Sequence, residues 1–384
     1  MSKYKKIIYF WLVSIFISIL FHVIIYFTYV KKVYDDNVIV GDIARMSYSV
    51  DLVDKKKNII NFDKKHIDFA NYNGQKVELI TIGDSFSQGC GLDNYYQDSI
   101  VKNYNNNVLN IQMLKNTANY IETIALLNNS GELDKMGVKY VLIESVQRRA
   151  LERFATNIDF SKIDSSDFSK VVNENLKSNS AKAVDNRAKN KINIEENLNY
   201  IDEVKKLFSS STTIKPINNL NLNAFIYNLR FELKGYGKIT PHVYREKLSK
   251  ELFSTDIGNN LLFYDEDIIY LKLESIENIE LMNDNLNKLA KILSEKNIKL
   301  IFMPAVDKYN LYRDYIISNE YKESIFFEEL EKLQKDYIFI NTKSILKQKL
   351  NAGEKDLYYV DDTHWSFKAS DTVINDKSFR KIFE

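Results

Sequence analysis

Apolar positions along this chain fall into one long unbroken run and a series of short ones. The long run comes first: Ile7 to Val30 contains no Asp, Glu, Lys or Arg. As a helix it would reach about 36 Å, against a hydrocarbon core of about 30 Å. It is apolar on every side rather than along one stripe, which argues against a soluble buried helix. It is long for a signal peptide, and no small-x-small cleavage pattern follows it. We expect an uncleaved anchor in the lipid bilayer over residues 7–30 rather than a removed signal. Lys3, Lys5 and Lys6 precede the run, and Lys31 and Lys32 follow it. This bias favours residues 1–6 on the cytoplasmic side and the remainder outside.

Residues 31–74 are polar and mixed, and read as a stalk or a first extended segment over a domain spanning 75–384. Short apolar runs then alternate with helical periodicity. Strands are expected at Val77–Ile82, Val108–Ile111 and Val138–Ile143, with helices at Tyr95–Lys102 and Asn116–Leu127 between them. The rhythm breaks over about 150–260, which is rich in Lys, Asn, Ser and Asp. That stretch reads as an inserted subdomain, with a disordered linker as the alternative. The alternation resumes with a helix at Ile276–Ser294 and a strand at Lys299–Met303 closing at Pro304. Further elements are a helix at Ser324–Gln334, a strand at Tyr337–Asn341, and helices at Thr342–Leu350 and Phe367–Phe379. Strand–helix alternation implies βαβ units and a parallel sheet.

Composition narrows the chemistry. The net charge of +1 gives no electrostatic case for nucleic acid. Cys90 is the single cysteine, so intrachain disulfides and Cys-rich metal sites are excluded, and no cofactor is expected. Cys90 sits in Gly89-Cys90-Gly91, and nothing around it marks a nucleophile. There are four histidines: His22 in the anchor, His66 in a charged stretch that reads as surface, His242 and His364.

Ser85 follows the strand Val77–Ile82 through Gly83-Asp84. A serine on a tight turn at the C-terminal end of a strand is where α/β folds expose a nucleophile. The same residues also make an ordinary turn or helix cap. A serine hydroxyl needs a base, usually an imidazole held by a carboxylate. Asp361-Asp362-Thr363-His364-Trp365 supplies both within one loop. Trp365 could stack on a sugar ring, wall an acyl pocket or pack in the core.

Gly83-Asp84-Ser85-Phe86 resembles the nucleophile block of SGNH (GDSL-type) hydrolases. Asp362-Thr363-His364-Trp365 resembles the Asp-x-His-Trp signature of their alginate O-acetyltransferase branch. Met303 to Tyr312 is similar to the Pro-x-x-x-Lys-x-x-x-Tyr stretch of that branch, and Glu144 to Arg148 to a Glu-x-x-x-Arg stretch. The likeness covers Val77–Arg148 and about Lys299–Ala369. It implies a flavodoxin-like α/β/α sandwich with Ser85 as nucleophile, His364 as base and Asp362 as its carboxylate. General SGNH spacing would choose Asp361 instead. The glycine and Asn blocks that complete the family's oxyanion hole are not matched by Asn110–Asn116 or Glu144–Arg148. That leaves Arg148 as a candidate for oxyanion or acceptor binding, or as an ion pair with Glu144. Lys308 and Tyr312 are candidates for sugar contact.

The resemblance further implies O-acetylation of an extracytoplasmic polysaccharide, fed by a membrane-bound O-acyltransferase partner. Three alternatives remain: a polysaccharide acetyl esterase, a D-alanyl transfer protein for teichoic acid, and a non-catalytic anchored scaffold of a polysaccharide export complex.

Overall fold

A computed structural model describes residues 3–34, 40–53, 60–91, 93–114, 117–163, 215–318 and 320–384. Its centre is a six-stranded parallel sheet of β1 (Ile67–Asp68), β2 (Leu79–Ile82), β3 (Val108–Ile111), β4 (Tyr140–Val146), β8 (Lys299–Ala305) and β9 (Ile338–Phe339). The strands lie in the order β1-β3-β2-β4-β8-β9. Every residue of β2 and β3 is buried. Burial on both faces is what crossover helices impose on a parallel sheet, and it explains runs such as Leu-Ile-Thr-Ile. The helices form two packed groups. Ile276–Ser294 lies against Tyr120–Asn129 and Gln147–Phe154, whereas Phe367–Ile374 lies against Tyr96–Tyr104 and Thr342–Asn351.

From β2 the chain passes to β3 on one side and then to β4 on the other. The C-terminal end of β2 is therefore a point where strand order reverses, the place where open α/β sheets bind ligands. Ser85 follows that end.

Several boundaries differ from expectation. β8 runs through Pro304 to Ala305 because Pro304 pairs with Ser145 on one side. On the other side β9 engages only Ile301 and Phe302, so no ladder there requires the missing N–H. The last helix stops at Ile374, and a separate turn, Lys377–Arg380, begins where the Asp376 carboxylate accepts from Ser378 N–H. The start of the expected helix at Asn116 lies outside the described residues, and the helix itself begins at Tyr120 with Asn119 as its cap.

Among the described residues one helix, beginning at Lys3, is long and apolar enough to cross a membrane. Its side chains are largely exposed as far as Ile24, but Ile25, Tyr26, Val30 and Val33 belong to the protein core. Burial of the apolar run thus begins at Ile25, with Phe27 still 36% exposed. Residues 40–53 do not form a free stalk. Asp42–Ser47 is a short helix packed on β6 (Val243–Lys247) and β7 (Asn260–Tyr264). With β5 (Gly237–Lys238), these make a three-stranded antiparallel sheet. Within the 150–260 stretch the described residues include the end of the helix Gln147–Phe154, the turn Phe160–Lys162, the helix Leu220–Lys234 and most of this sheet, while residues 164–214 lie outside the described residues. The Arg245 guanidinium ties the sheet to Asp51 at 2.6 Å.

Candidate active site

The turn after β2 is shaped by buried acids. A Cβ on Gly83 would stand 2.2 Å from Ser87 Oγ and 2.3 Å from Glu144 Oε2, so glycine is required there by close approach. Glu144, wholly buried, accepts from Asp84 N–H at 3.1 Å and from Ser87 Oγ–H at 2.8 Å. Burial and the neighbouring Asp84 charge push its carboxyl well up. Asp84 goes the other way. Burial opposes its charge, but Arg153 at 2.5 Å and the Val146 N–H at 2.9 Å outweigh that and hold it low. Asp84 thereby ties the serine turn to β4 and to the helix after it.

Ser85 is exposed at the top of this turn. Its Oγ lies 2.7 Å from His364 Nε2, across 279 residues of sequence. His364 Nδ1 lies 2.6 Å from Asp362 Oδ1, which also accepts the His364 backbone N–H at 3.0 Å. With Nδ1–H donated to the carboxylate, Nε2 is left to accept the serine proton. Burial pulls the His364 pKa down, but the Asp362 charge and hydrogen bond, with Asp42 beyond them, raise it above its ordinary value. Phe86 packs against the imidazole with ring centroids 5.0 Å apart.

Asp361 serves a different end. Its Oδ2 accepts Gly41 N–H at 2.9 Å and its carbonyl accepts Ala44 N–H at 3.0 Å. The residue beside it in space, Asp42, was not singled out from sequence. Its carboxylate takes both the N–H and the hydroxyl of Thr363, at 2.8 and 2.6 Å. Burial and the Asp362 charge raise its pKa. Asp42, Asp362 and His364 have candidate ligand atoms within 4.8 Å of one another. The 2.6 Å between His364 Nδ1 and Asp362 Oδ1 is a hydrogen-bond length. Ligands around an ion with 2.0–2.1 Å bonds sit about 3 Å apart, so this geometry suits a shared proton better than a metal.

The remaining candidates lie away from the serine or beneath it. Lys308 is buried, and its Nζ donates to the carbonyls of Tyr359, Val360 and Asp362 at 2.7, 2.9 and 3.0 Å. It holds the loop that carries Asp362 and His364 and does not face a sugar. Tyr312 is also buried, and its hydroxyl accepts from Tyr358 N–H at 3.3 Å. Trp365 is fully buried, edge-on to Phe86 and Tyr96, and packs in the core. Arg148 does not pair with Glu144. It is held by Asp307 at 2.8 Å and Asp267 at 3.3 Å, with Glu266 at 3.7 Å. Its charge still reaches His364, where it opposes protonation. Cys90 is buried and its thiol pushed well up by that burial, which leaves it inert. His66 is not a surface residue. It is buried between Asp98 at 2.5 Å and Asp68 at 3.1 Å.

Two N–H groups in the serine turn lack an acceptor among the described residues. The Ser85 N–H has no acceptor among the described residues. Three residues on, the buried Nε2 of Gln88 also has none, while its Oε1 is held by Gln112 at 3.3 Å. Asp42, Arg153 and Gln88 were not singled out from sequence, because they act through contacts 69 to 321 residues distant or through a single side chain in a turn, whereas Glu144 stood in the Glu-x-x-x-Arg stretch without this role. Only Glu144, an acid at the end of an apolar run, carries a local signal.

No protein-family model, curated protein or solved structure matches this chain.

Proposed function

We propose that this chain is a membrane-anchored O-acyltransferase that acetylates a cell-surface polysaccharide. The observation that carries the reading is the line of short contacts from Asp362 through His364 to the exposed Ser85 hydroxyl. Two further observations support it. The five strands beginning with β2 follow the order 2-1-3-4-5 of flavodoxin-like sheets. The single N-terminal apolar helix would hold the site at a membrane surface, beside a membrane-bound partner that supplies acetyl groups.

Ser85 Oγ attacks the donor carbonyl while His364 Nε2 takes its proton. Asp362 stabilises the imidazolium, and the Ser85 and Gln88 N–H groups meet the oxyanion. The leaving group departs with the proton and leaves an acetyl ester on Ser85. A sugar hydroxyl, deprotonated by the same imidazole, then attacks the ester and regenerates the serine. Water in place of the sugar would make the site an esterase.

The test supplies the full chain with a small acetyl ester and an oligosaccharide acceptor. Acetylated sugar is expected with wild type and not with Ser85→Ala or His364→Ala. Acetate alone at saturating acceptor would turn the reading to an esterase. Unchanged glycan modification in cells carrying Ser85→Ala would mark a silent scaffold.

A further inference from the structure

We infer that the helix Leu220–Lys234 lies in the membrane interface and inserts its apolar face between lipid headgroups beside the anchor. The inference rests on the reading of Ile7–Ile24 as a bilayer span. The helix has two faces. Asn221 and Ala224 are buried, and Asn228 Nδ2 donates to the Tyr48 carbonyl at 3.3 Å, so this side is fixed to the protein. On the opposite side Leu222, Phe225, Ile226, Leu229 and Leu233 are 53, 36, 46, 41 and 76% exposed. At 3.6 residues per turn these five fall within an arc of about 100°, an apolar stripe as wide as one normally buried against a core. Arg230, Lys234 and Asn223 flank it on one edge and Glu232 on the other. An apolar stripe with charged borders on a helix otherwise fixed in place is the pattern of an interfacial segment.

Continuity with the anchor identifies the occupant as lipid. Phe225 packs edge-on against Phe21 with ring centroids 5.3 Å apart. Asn221 Nδ2 donates to His22 Nδ1 at 2.9 Å and to the His22 carbonyl at 3.3 Å. The exposed apolar surface of the anchor therefore runs directly onto the stripe. The depth agrees as well. Ile7 to Ile24 spans roughly 27 Å, close to one hydrocarbon thickness, so Phe21 and His22 fall at its outer edge. At Ile25 the chain enters the protein core. A helix docked at that level meets headgroups and the upper acyl chains.

The experiment places a polarity-sensitive NBD label on the full chain at Leu229→Cys, Asn223→Cys or Phe16→Cys. Each variant is reconstituted in phosphatidylcholine–phosphatidylglycerol nanodiscs. Cys90 is 1% exposed and does not compete for the label. Quenching by shallow doxyl lipids should be at least about threefold stronger at 229 than at 223, and aqueous iodide should show the reverse order. Equal iodide access at 229 and 223 overturns the inference. So does shielding of 229 that appears only in native membranes, which would assign the stripe to a protein partner. The label at 16 separates the two readings. If deep doxyl lipids quench 16 but shallow ones leave 229 untouched, the anchor reading survives and the interfacial helix does not. If 16 is also unquenched, both fall.

Discussion

Asp361 and Asp362 are chemically identical neighbours that the fold sends to different tasks. Asp362 faces His364 Nδ1 at 2.6 Å, and Asp361 pins the segment around Gly41. Asp362→Asn should lower kcat for acetyl-ester turnover by about 10³-fold, because the imidazole loses its orienting acceptor and the stabiliser of its cation. Asp361→Asn should leave kcat within a few fold and lower the melting temperature. Steady-state kinetics and thermal melts on both variants check this. His364 must be neutral to act as base, so its raised pKa places the acid limb of kcat/KM above the ordinary histidine value of 6.5. The Asp42 charge contributes to that elevation. Asp42→Asn should therefore move the limb to lower pH, which a pH profile from 5 to 9 would show. A purely structural role for Asp42 would lower the rate without moving the limb.

At the scale of elements, the buried pairings decide what holds the sheet edge. His66 precedes β1 and is clamped between Asp98, on the helix Tyr96–Tyr104, and Asp68. Burial lowers its pKa, but the two carboxylates raise it further, and the balance lies above the ordinary value. A folded pKa above the unfolded one means the added stability is complete below about pH 6.5 and fades as pH rises through the folded value. His66→Gln should cost about 3 kcal/mol at low pH and less at high pH. The difference between the wild-type and variant denaturation curves across pH measures it, and a difference independent of pH would remove the charge argument. The sequence hid this pairing, because Asp63-Lys64-Lys65-His66 has the local look of a solvated surface and the partner Asp98 lies 32 residues away. Elements whose signal is local were legible. The helix Ile276–Ser294 and the strand Val108–Ile111 match residue for residue, since apolar spacing alone determines them.

At the scale of the molecule, the 40–53 segment is joined to the site through Gly41–Asp361 and Asp42–Thr363, and the end of the N-terminal apolar helix packs into the same core. Ser85 and His364 were readable as a pair because each sits in a distinctive tetrapeptide. Lys308 and Tyr312 were read as sugar contacts because spacing cannot reveal that both side chains turn inward. The apolar run was readable from sequence as far as Val30, whereas the structure begins to bury it at Ile25. A soluble chain beginning at Ile25 loses the Phe21–Phe225 and His22–Asn221 contacts but keeps the buried Ile25, Tyr26 and Val30, and should be the more stable of two truncations. One beginning at Lys31 loses the buried Tyr26 and Val30 side chains and should be less stable by about 3–5 kcal/mol. Urea denaturation of the two chains distinguishes these outcomes, and equal midpoints would show that residues 25–30 belong with the membrane segment.

Acylation of Ser85 with His364 as its base is the step on which the proposed function depends. The direct measurement is a rapid acid quench of the full chain with a small acetyl ester, followed by peptide mass analysis. One acetyl group should appear on the Ser85 peptide in wild type and be lost in His364→Ala. Acetylation at another residue, or turnover by Ser85→Ala at the wild-type rate, would contradict it.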